Sequence, residues 1–336
     1  MKWRKIEYPL KTFFVKFNNI FNLKSLFKEK NKGDLTFELV CAAIASSILI
    51  ILALMFIMII KDAWLSITTY GIEFIFGTEW IPYSLGNEKP VFSALPLIWG
   101  TLVTSTIALL ISVPISLGVA LALSEFSGKR FNYVVSALVE LLAAIPSVVY
   151  GLWGIFILIP FLKSHVYPFL QQVFYFLPFF QGRIHGPSVM TGSIVLSIMI
   201  LPTIAAVMRD VFSSVPKSQR EAIISLGATR WETAKLVIQY SKIGVIGAIM
   251  LGLGRAVGET MAITMVIGNS FNLFTSLFEP GYTLSSIIAN EFTEASSPPE
   301  YLSALMEIGL ILLILALVIN SIAQVVVRYY SKRVSR

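Results

Sequence analysis

Charge is scarce in this chain: Asp, Glu, Lys and Arg make up 13% of its 336 residues, against 56% hydrophobic residues. A soluble domain carries about twice that charged fraction, so an ordinary soluble protein is excluded and an integral membrane protein is indicated. Cysteine is almost absent. The single Cys41 lies in an apolar run, which leaves no intrachain disulfide, cysteine-based metal site or redox pair. The two histidines, His165 and His185, sit in a segment without a carboxylate, which argues against a metal centre. No Gly-x-x-x-x-Gly-Lys-Ser/Thr loop occurs, so the chain has no phosphate-cradling loop with which to bind ATP. No repeat of 20 to 50 residues is visible either.

What the sequence has is long apolar runs. A helix needs about 20 apolar residues to cross a bilayer, and six runs meet that length: 39–60, 95–123, 134–162, 188–208, 243–268 and 304–327. The expected fold is therefore all-α with six transmembrane helices. A seventh stretch, 169–180, is shorter and interrupted by Gln171, Gln172 and Pro178, and it reads as an interfacial or re-entrant segment. Of the 26 Lys and Arg, 21 fall before the first run, between the second and third, between the fourth and fifth, or after the sixth. The alternate loops hold four, which places both termini in the cytoplasm. The net charge of +7 thus records orientation before it records any acidic partner. The chain divides into a basic segment 1–38, a membrane domain 39–327 and a tail 328–336. Within the first, Leu10, Phe13, Phe14, Phe17, Ile20 and Phe21 share a helical face among lysines, which suits a helix lying on the membrane surface. No small-residue cleavage site follows the first run, so this is not a cleaved signal.

Pro114, Pro146, Pro160 and Pro202 lie inside the apolar runs, where each removes a backbone hydrogen bond and bends its helix. One cation, Arg255, lies inside the fifth run with Glu259 four residues on. A charge at the bilayer centre costs about 2.5–3.5 kcal/mol on insertion scales, so such residues are rarely idle. The spacing puts both on one helical face, able to pair, and two roles remain open: an internal lock, or a forked donor for an anion steadied by its carboxylate. Gly254 and Gly258 continue a stripe of small residues and read as helix-packing positions. Glu140 and Glu307 are weaker pathway candidates, and the external acids Glu279, Glu291, Glu294 and Glu300 read as parts of a solvated loop.

The loop 209–242 reads as two short helices. Pro216 suits a helix start, Gly227 supplies a stop, and Thr229-Arg230-Trp231-Glu232 has capping-box spacing. Ala222, Ile223 and Leu226 form an apolar face with Arg220 and Glu221 outside it, a surface suited to protein contact, although a solvated connector has the same composition.

Glu221-Ala222-Ile223 followed by Gly227 resembles the EAA loop of type I ABC importer permeases, with Ile223 in place of the second alanine and Gln239-Tyr240 where many members carry Leu-Pro. Gly252-Leu-Gly-Arg-Ala-Val-Gly-Glu-Thr-Met-Ala262 resembles the phosphate-importer permeases more specifically. So do Leu97-Ile-Trp-Gly-Thr-Leu-Val-Thr-Ser105, Ala143-Ala-Ile-Pro-Ser-Val-Val-Tyr-Gly-Leu-Trp-Gly154 and Ile287-Ile-Ala-Asn-Glu-Phe292. The resemblance covers roughly 40–330 and implies a type I ABC importer permease fold in a bacterial or archaeal cell membrane. It implies that Glu221, Ala222 and Gly227 form a coupling helix and that Arg255 and Glu259 line the phosphate path. The implied partners are a homologous PstA-like permease subunit, two PstB-like ATPase subunits that bind the ATP, and an extracytoplasmic PstS-like phosphate-binding protein. On this reading the chain is a transport subunit without catalytic residues, metal or cofactor. The rival readings are a permease for molybdate or sulfate, and an ion-coupled secondary transporter.

Overall fold

The computed structural model describes residues 32–83, 90–295 and 298–334. Among them every regular element is helical, joined by isolated bridges at Ile81–Val91 and Gly268–Gly281. The surface helix expected before residue 32 lies outside the described residues. The chain divides into two compact units, Met1–Met58 and Ile59–Arg336.

Helix α1 runs Lys32–Tyr70 and begins inside the segment read as a separate basic tail. From Leu39 to Met58 it is apolar all round, the character of a helix whose solvent is hydrocarbon. In the second unit it continues past the expected end, because Lys61 and Asp62 do not break a helix. Gly71, at φ +54°, does. The extension is fastened at Ser66, whose backbone N–H donates to Ser303 Oγ at 3.0 Å, while that hydroxyl donates to the Asp62 carbonyl at 2.7 Å.

Helix α2 spans Leu95–Leu121 and continues into a π turn at Ala122–Phe126. The expected third span proves to be two helices. Residues Lys129–Ala143 form α3, and the crossing segment α4 is Ser147–Val173. Pro146 is the reason: it cannot donate to the turn before it, and it sits with ψ 140° as the residue that starts α4. Tyr150 Oη donates to the Leu142 carbonyl at 2.9 Å and so satisfies one end of α3 across the break. Pro160 does not end α4, since π turns at Gly154–Leu158 and Leu162–Val166 flank it and relieve the ladder locally. The first half of the supposed re-entrant stretch is therefore the end of α4, followed by a 3₁₀ turn at Pro178–Phe180.

Helix α5, Val189–Ser213, starts at Ser188, whose Oγ accepts from Thr191 N at 3.3 Å. It is the axis of the second unit, with Met199, Ile200, Ile204, Met208 and Phe212 buried among α2 and the later helices. Then follow α6 (Lys217–Ser225), α7 (Arg230–Tyr240) and α8 (Lys242–Gly258). Next come α9 (Met261–Val266), α10 (Leu284–Glu291) and α11 (Pro299–Val334). Among the described residues five helices are long and apolar enough to cross a membrane, and α7 with α8, bent by 70°, supplies a sixth if counted as one span.

Between helices in lipid the hydrophobic effect gives little, so close approach and internal hydrogen bonds hold the bundle. Gly100 shows the need: a Cβ there would lie 1.9 Å from the Tyr282 carbonyl oxygen. Next to it Thr101 Oγ1 accepts from Leu284 N at 2.9 Å and receives the start of α10. The Leu97–Ser105 motif is thus a docking site for the loop before α10. At that end Phe74, Phe92, Leu97, Tyr301 and Ile308 make a second core.

Candidate functional site

The charged residues of the fifth run do not share a helix. Helix α8 stops at Gly258, and Glu259 adopts an extended conformation with φ −68° and ψ 129°. After Thr260 the chain resumes as α9. This break, where a continuous span 243–268 was expected, redirects both side chains. Arg255, half-buried near the end of α8, donates from Nη1 to Thr203 Oγ1 of α5 at 2.9 Å. Glu259 turns to the next helix instead: its Oε1 accepts from Ala262 N at 3.2 Å, and its carbonyl accepts from Ser285 Oγ at 2.7 Å. No ion pair joins Arg255 to Glu259 among the described residues. Each charge is placed where helix ends favour it, the cation in the last turn of α8 and the anion against the first free N–H groups of α9. The pairing that their spacing of four allowed, one of the two roles left open, does not form because that rule holds only on an unbroken helix.

The glycines separate in the same way. A Cβ on Gly252 would meet Ile204 at 2.5 Å and one on Gly244 would meet Val211 at 2.4 Å, so these two let α8 approach α5. A Cβ on Gly258 would meet no other described residue within 4 Å beyond its chain neighbours and own helix backbone, and one on Gly254 only Asn320 Oδ1 at 4.0 Å. Among the described residues neither approaches another helix as closely as Gly244 and Gly252 do. Gly247, Leu251, Gly254 and Gly258 instead form one exposed stripe, with Arg255 at its edge.

In the loop 209–242 the local reading stands. Gly227 has φ +88°, a conformation that suits glycine. The Thr229–Glu232 box is closed in both directions, with Thr229 N donating to Glu232 Oε2 at 2.7 Å and Glu232 N to Thr229 Oγ1 at 3.3 Å. Glu221 and Ala222 on α6 and Leu226 at its end are exposed, Leu226 at 86%. Arg220 is not outside as expected: its side chain folds back on Glu125 beyond α2 and is 18% exposed.

Glu140 of α3 pairs with Arg209 at 3.1 Å. Glu307 is buried, 6% exposed, facing Ser66 of α1. Of the acids expected in a solvated loop, Glu291 is part-buried instead: Trp80 Nε1 and Tyr301 Oη donate to its Oε2 at 2.8 and 2.7 Å. Burial raises its pKa from the ordinary value against the opposing effect of those two hydrogen bonds, and burial together with Glu291 pushes Tyr282 up to about 12. Among the described residues no group of three or more His, Cys, Asp or Glu could hold a metal. The residues that the sequence did not disclose are Thr203, Trp80 and Glu125, each a partner supplied from a distant element.

Helices of this length and apolarity, among them a broken one that carries a half-buried arginine, define a multi-pass membrane protein. The chain belongs to the family described as binding-protein-dependent transport system inner membrane component, which matches residues 112–336. It is 43% identical over 308 residues to the phosphate transport system permease protein PstC of Pasteurella multocida, with 90% of this chain and 94% of that one covered. To PstC of Mesorhizobium japonicum it is 42% identical over 296 residues, covering 87% and 89%. To the probable PstC of Methanocaldococcus jannaschii it is 39% identical over 269 residues, covering 80% and 84%. Among solved structures, an inward-facing conformation of the MetNI methionine ABC transporter matches with a TM-score of 0.51 and 17% identity, covering 69% of this chain and 93% of that one. That likeness shows an ABC importer permease fold.

Proposed function

We infer that this chain is a permease subunit of an ATP-driven phosphate importer and forms part of the path by which inorganic phosphate crosses the membrane. The identity to PstC relatives over nine-tenths of the chain supports the substrate. The observation that carries the pathway is Arg255, a half-buried guanidinium held by the neutral Thr203 hydroxyl and, among the described residues, by no carboxylate, beside an exposed glycine-rich stripe. An arginine neutralised by its own carboxylate would offer an anion little. One held by a hydroxyl keeps its charge and further N–H donors for phosphate oxygens. Glu259, directed at α9, sets the shape of the break and keeps a negative charge close by, so that a bound anion is not trapped.

The loop 209–242 faces the cytoplasm in this reading, as the distribution of basic residues favours, and both termini lie on that side. Helix α6 is the coupling helix, with Glu221, Ala222 and the stop at Gly227 presented to an ATPase subunit. The exposed Ala222 and Leu226 support this: they are spaced as one helical face and are uncovered in this chain. The assembly comprises this subunit, a PstA-like permease, two PstB-like ATPases that bind ATP, and a PstS-like phosphate-binding protein, with no cofactor held by this chain. ATP binding shifts the population toward an outward-facing state and hydrolysis returns it.

The test is copurification with these partners followed by uptake in proteoliposomes, comparing phosphate with sulfate and molybdate. ATP-dependent accumulation of phosphate over the other two is the expected result. Accumulation without the ATPase subunits would overturn the ABC reading, and preference for molybdate or sulfate would move the substrate to another oxyanion.

A further inference from the structure

Arg220 makes more hydrogen bonds than any other side chain in the loop 209–242. Its Nε donates to both oxygens of Glu125, at 3.3 and 3.1 Å, and its Nη2 donates to Glu125 Oε1 at 2.8 Å. The same guanidinium donates to the Phe212 carbonyl at 2.7 Å and to the Val215 carbonyl. One side chain of α6 thus grips three places: the π turn that ends α2, the last turn of α5, and the link between α5 and α6. Positive charge at those carbonyls is favourable because the last carbonyls of a helix have no partner within it.

This is no ordinary surface ion pair. The Glu125 side chain is 7% exposed and that of Arg220 18%, whereas exposed pairs are screened and contribute little. The turn that carries Glu125 is itself braced, with Asn132 Nδ2 donating to the Leu123 carbonyl at 2.8 Å and Ser127 Oγ to the Ala122 carbonyl at 2.5 Å. Besides its covalent links to α5 through Ser214–Pro216 and to α7 through 226–229, α6 is tied by this guanidinium to the end of α2. With the guanidinium in place, α6 cannot move without pulling on the ends of both α2 and α5.

We propose that Arg220 and Glu125 form the mechanical joint through which displacement of α6 reaches α2 and α5. Arg220 is a positioning residue, touching neither phosphate nor ATP. The proposal rests on the coupling role assigned to α6, and it adds the route by which the motion leaves that helix. Because α5 also carries Thr203, the joint grips the same helix whose hydroxyl holds Arg255.

The experiment uses the whole reconstituted complex and reads phosphate moved per ATP hydrolysed. Glu125→Gln, Arg220→Gln and the variant carrying both are compared at equal assembled complex, with Cys41→Ser, Glu125→Cys, Arg220→Cys as a further variant bridged after assembly by a short bismaleimide. The expected result is a fall in phosphate per ATP of about 5- to 150-fold, the range of typical coupling between sites, with ATP hydrolysis retained. The double Gln variant should be no worse than the singles, since both remove one interaction. Bridging should restore much of the ratio, which a residue needed only for folding would not show. Wild-type stoichiometry in the variants overturns the proposal. So does failure of both the double Gln and the double Cys variants to assemble, which assigns the pair to folding. Absence of ATP-dependent phosphate uptake in the wild-type complex would instead sink the transporter reading on which the joint depends.

Discussion

Two Arg–Glu pairs in this protein have opposite fates. Arg255 and Glu259 are four residues apart in sequence and stay unpaired, because the chain turns from helix to extended backbone between them. Arg220 and Glu125 are 95 residues apart and meet through several hydrogen bonds. The difference follows from what surrounds each. At the break, free N–H groups of α9 take the carboxylate and a hydroxyl of α5 takes the guanidinium, so each charge has its own partner and the arginine keeps capacity to spare. At the joint, the carboxylate is nearly enclosed, and a buried carboxylate without a cation is expensive. An unpaired arginine suits a passing anion, and a paired one suits the transfer of force.

The comparison breaks most severely at Arg255. A hydrogen bond to a charged group contributes about 1.5–3 kcal/mol, so Arg255→Gln should lower phosphate uptake roughly 10- to 100-fold at equal assembled complex. Thr203→Val, which removes only the neutral partner of that arginine, should reduce uptake by a smaller factor. Unchanged uptake in Arg255→Gln would remove the residue from the path.

A middle-sized effect separates packed from open backbone in the same helix. Gly252→Ala places a methyl group against Ile204, and overpacking of this kind costs about 1–3 kcal/mol, visible as a lower Tm. Gly258→Ala meets no other described residue within 4 Å beyond its chain neighbours and own helix backbone, and should leave the Tm of the isolated subunit unchanged. Equal destabilisation by both would contradict the outward orientation of the stripe.

The smallest expected effect concerns Glu291, an acid held by neutral donors where Glu125 is held by an arginine. Its folded pKa is raised, so folding favours the protonated form. The stability this confers is fully present below the unfolded value of 4.5 and is lost as pH rises through the window between that value and the raised one. In thermal melts across this window, Glu291→Gln should flatten a slope that the wild type shows. An identical slope in both would assign the pH dependence to other groups.

Much of the fold was legible because the bilayer demands long apolar runs. Four of the six expected runs lie within continuous helices, and the capping box and the Gly227 stop form where their spacing placed them. Where the reading failed, the cause was local. Pro146 divides the expected third span, since an apolar run does not reveal whether its backbone stays helical. The break at Glu259 has no proline to announce it. Its ingredients are a glycine, a carboxylate able to reach an N–H three residues on, and Ser285 arriving from α10 to bind the Glu259 carbonyl. Of the candidate site, Arg255 could be singled out by the cost of its charge in an apolar segment. Thr203 could not, because one threonine in a membrane helix gives no sign of which neighbour it will meet.

By itself the sequence determined that the chain lives in a membrane and which loops are basic, since hydrophobicity and charge act residue by residue against a uniform solvent. Tertiary structure alone decided the partners. Whether Arg255 faces Glu259 or Thr203, whether Gly258 is packed or open, and whether Arg220 is exposed or gripped all depend on elements distant in sequence, and on the rule that a charge or hydrogen-bonding group taken out of water must find a partner among whatever the fold brings near.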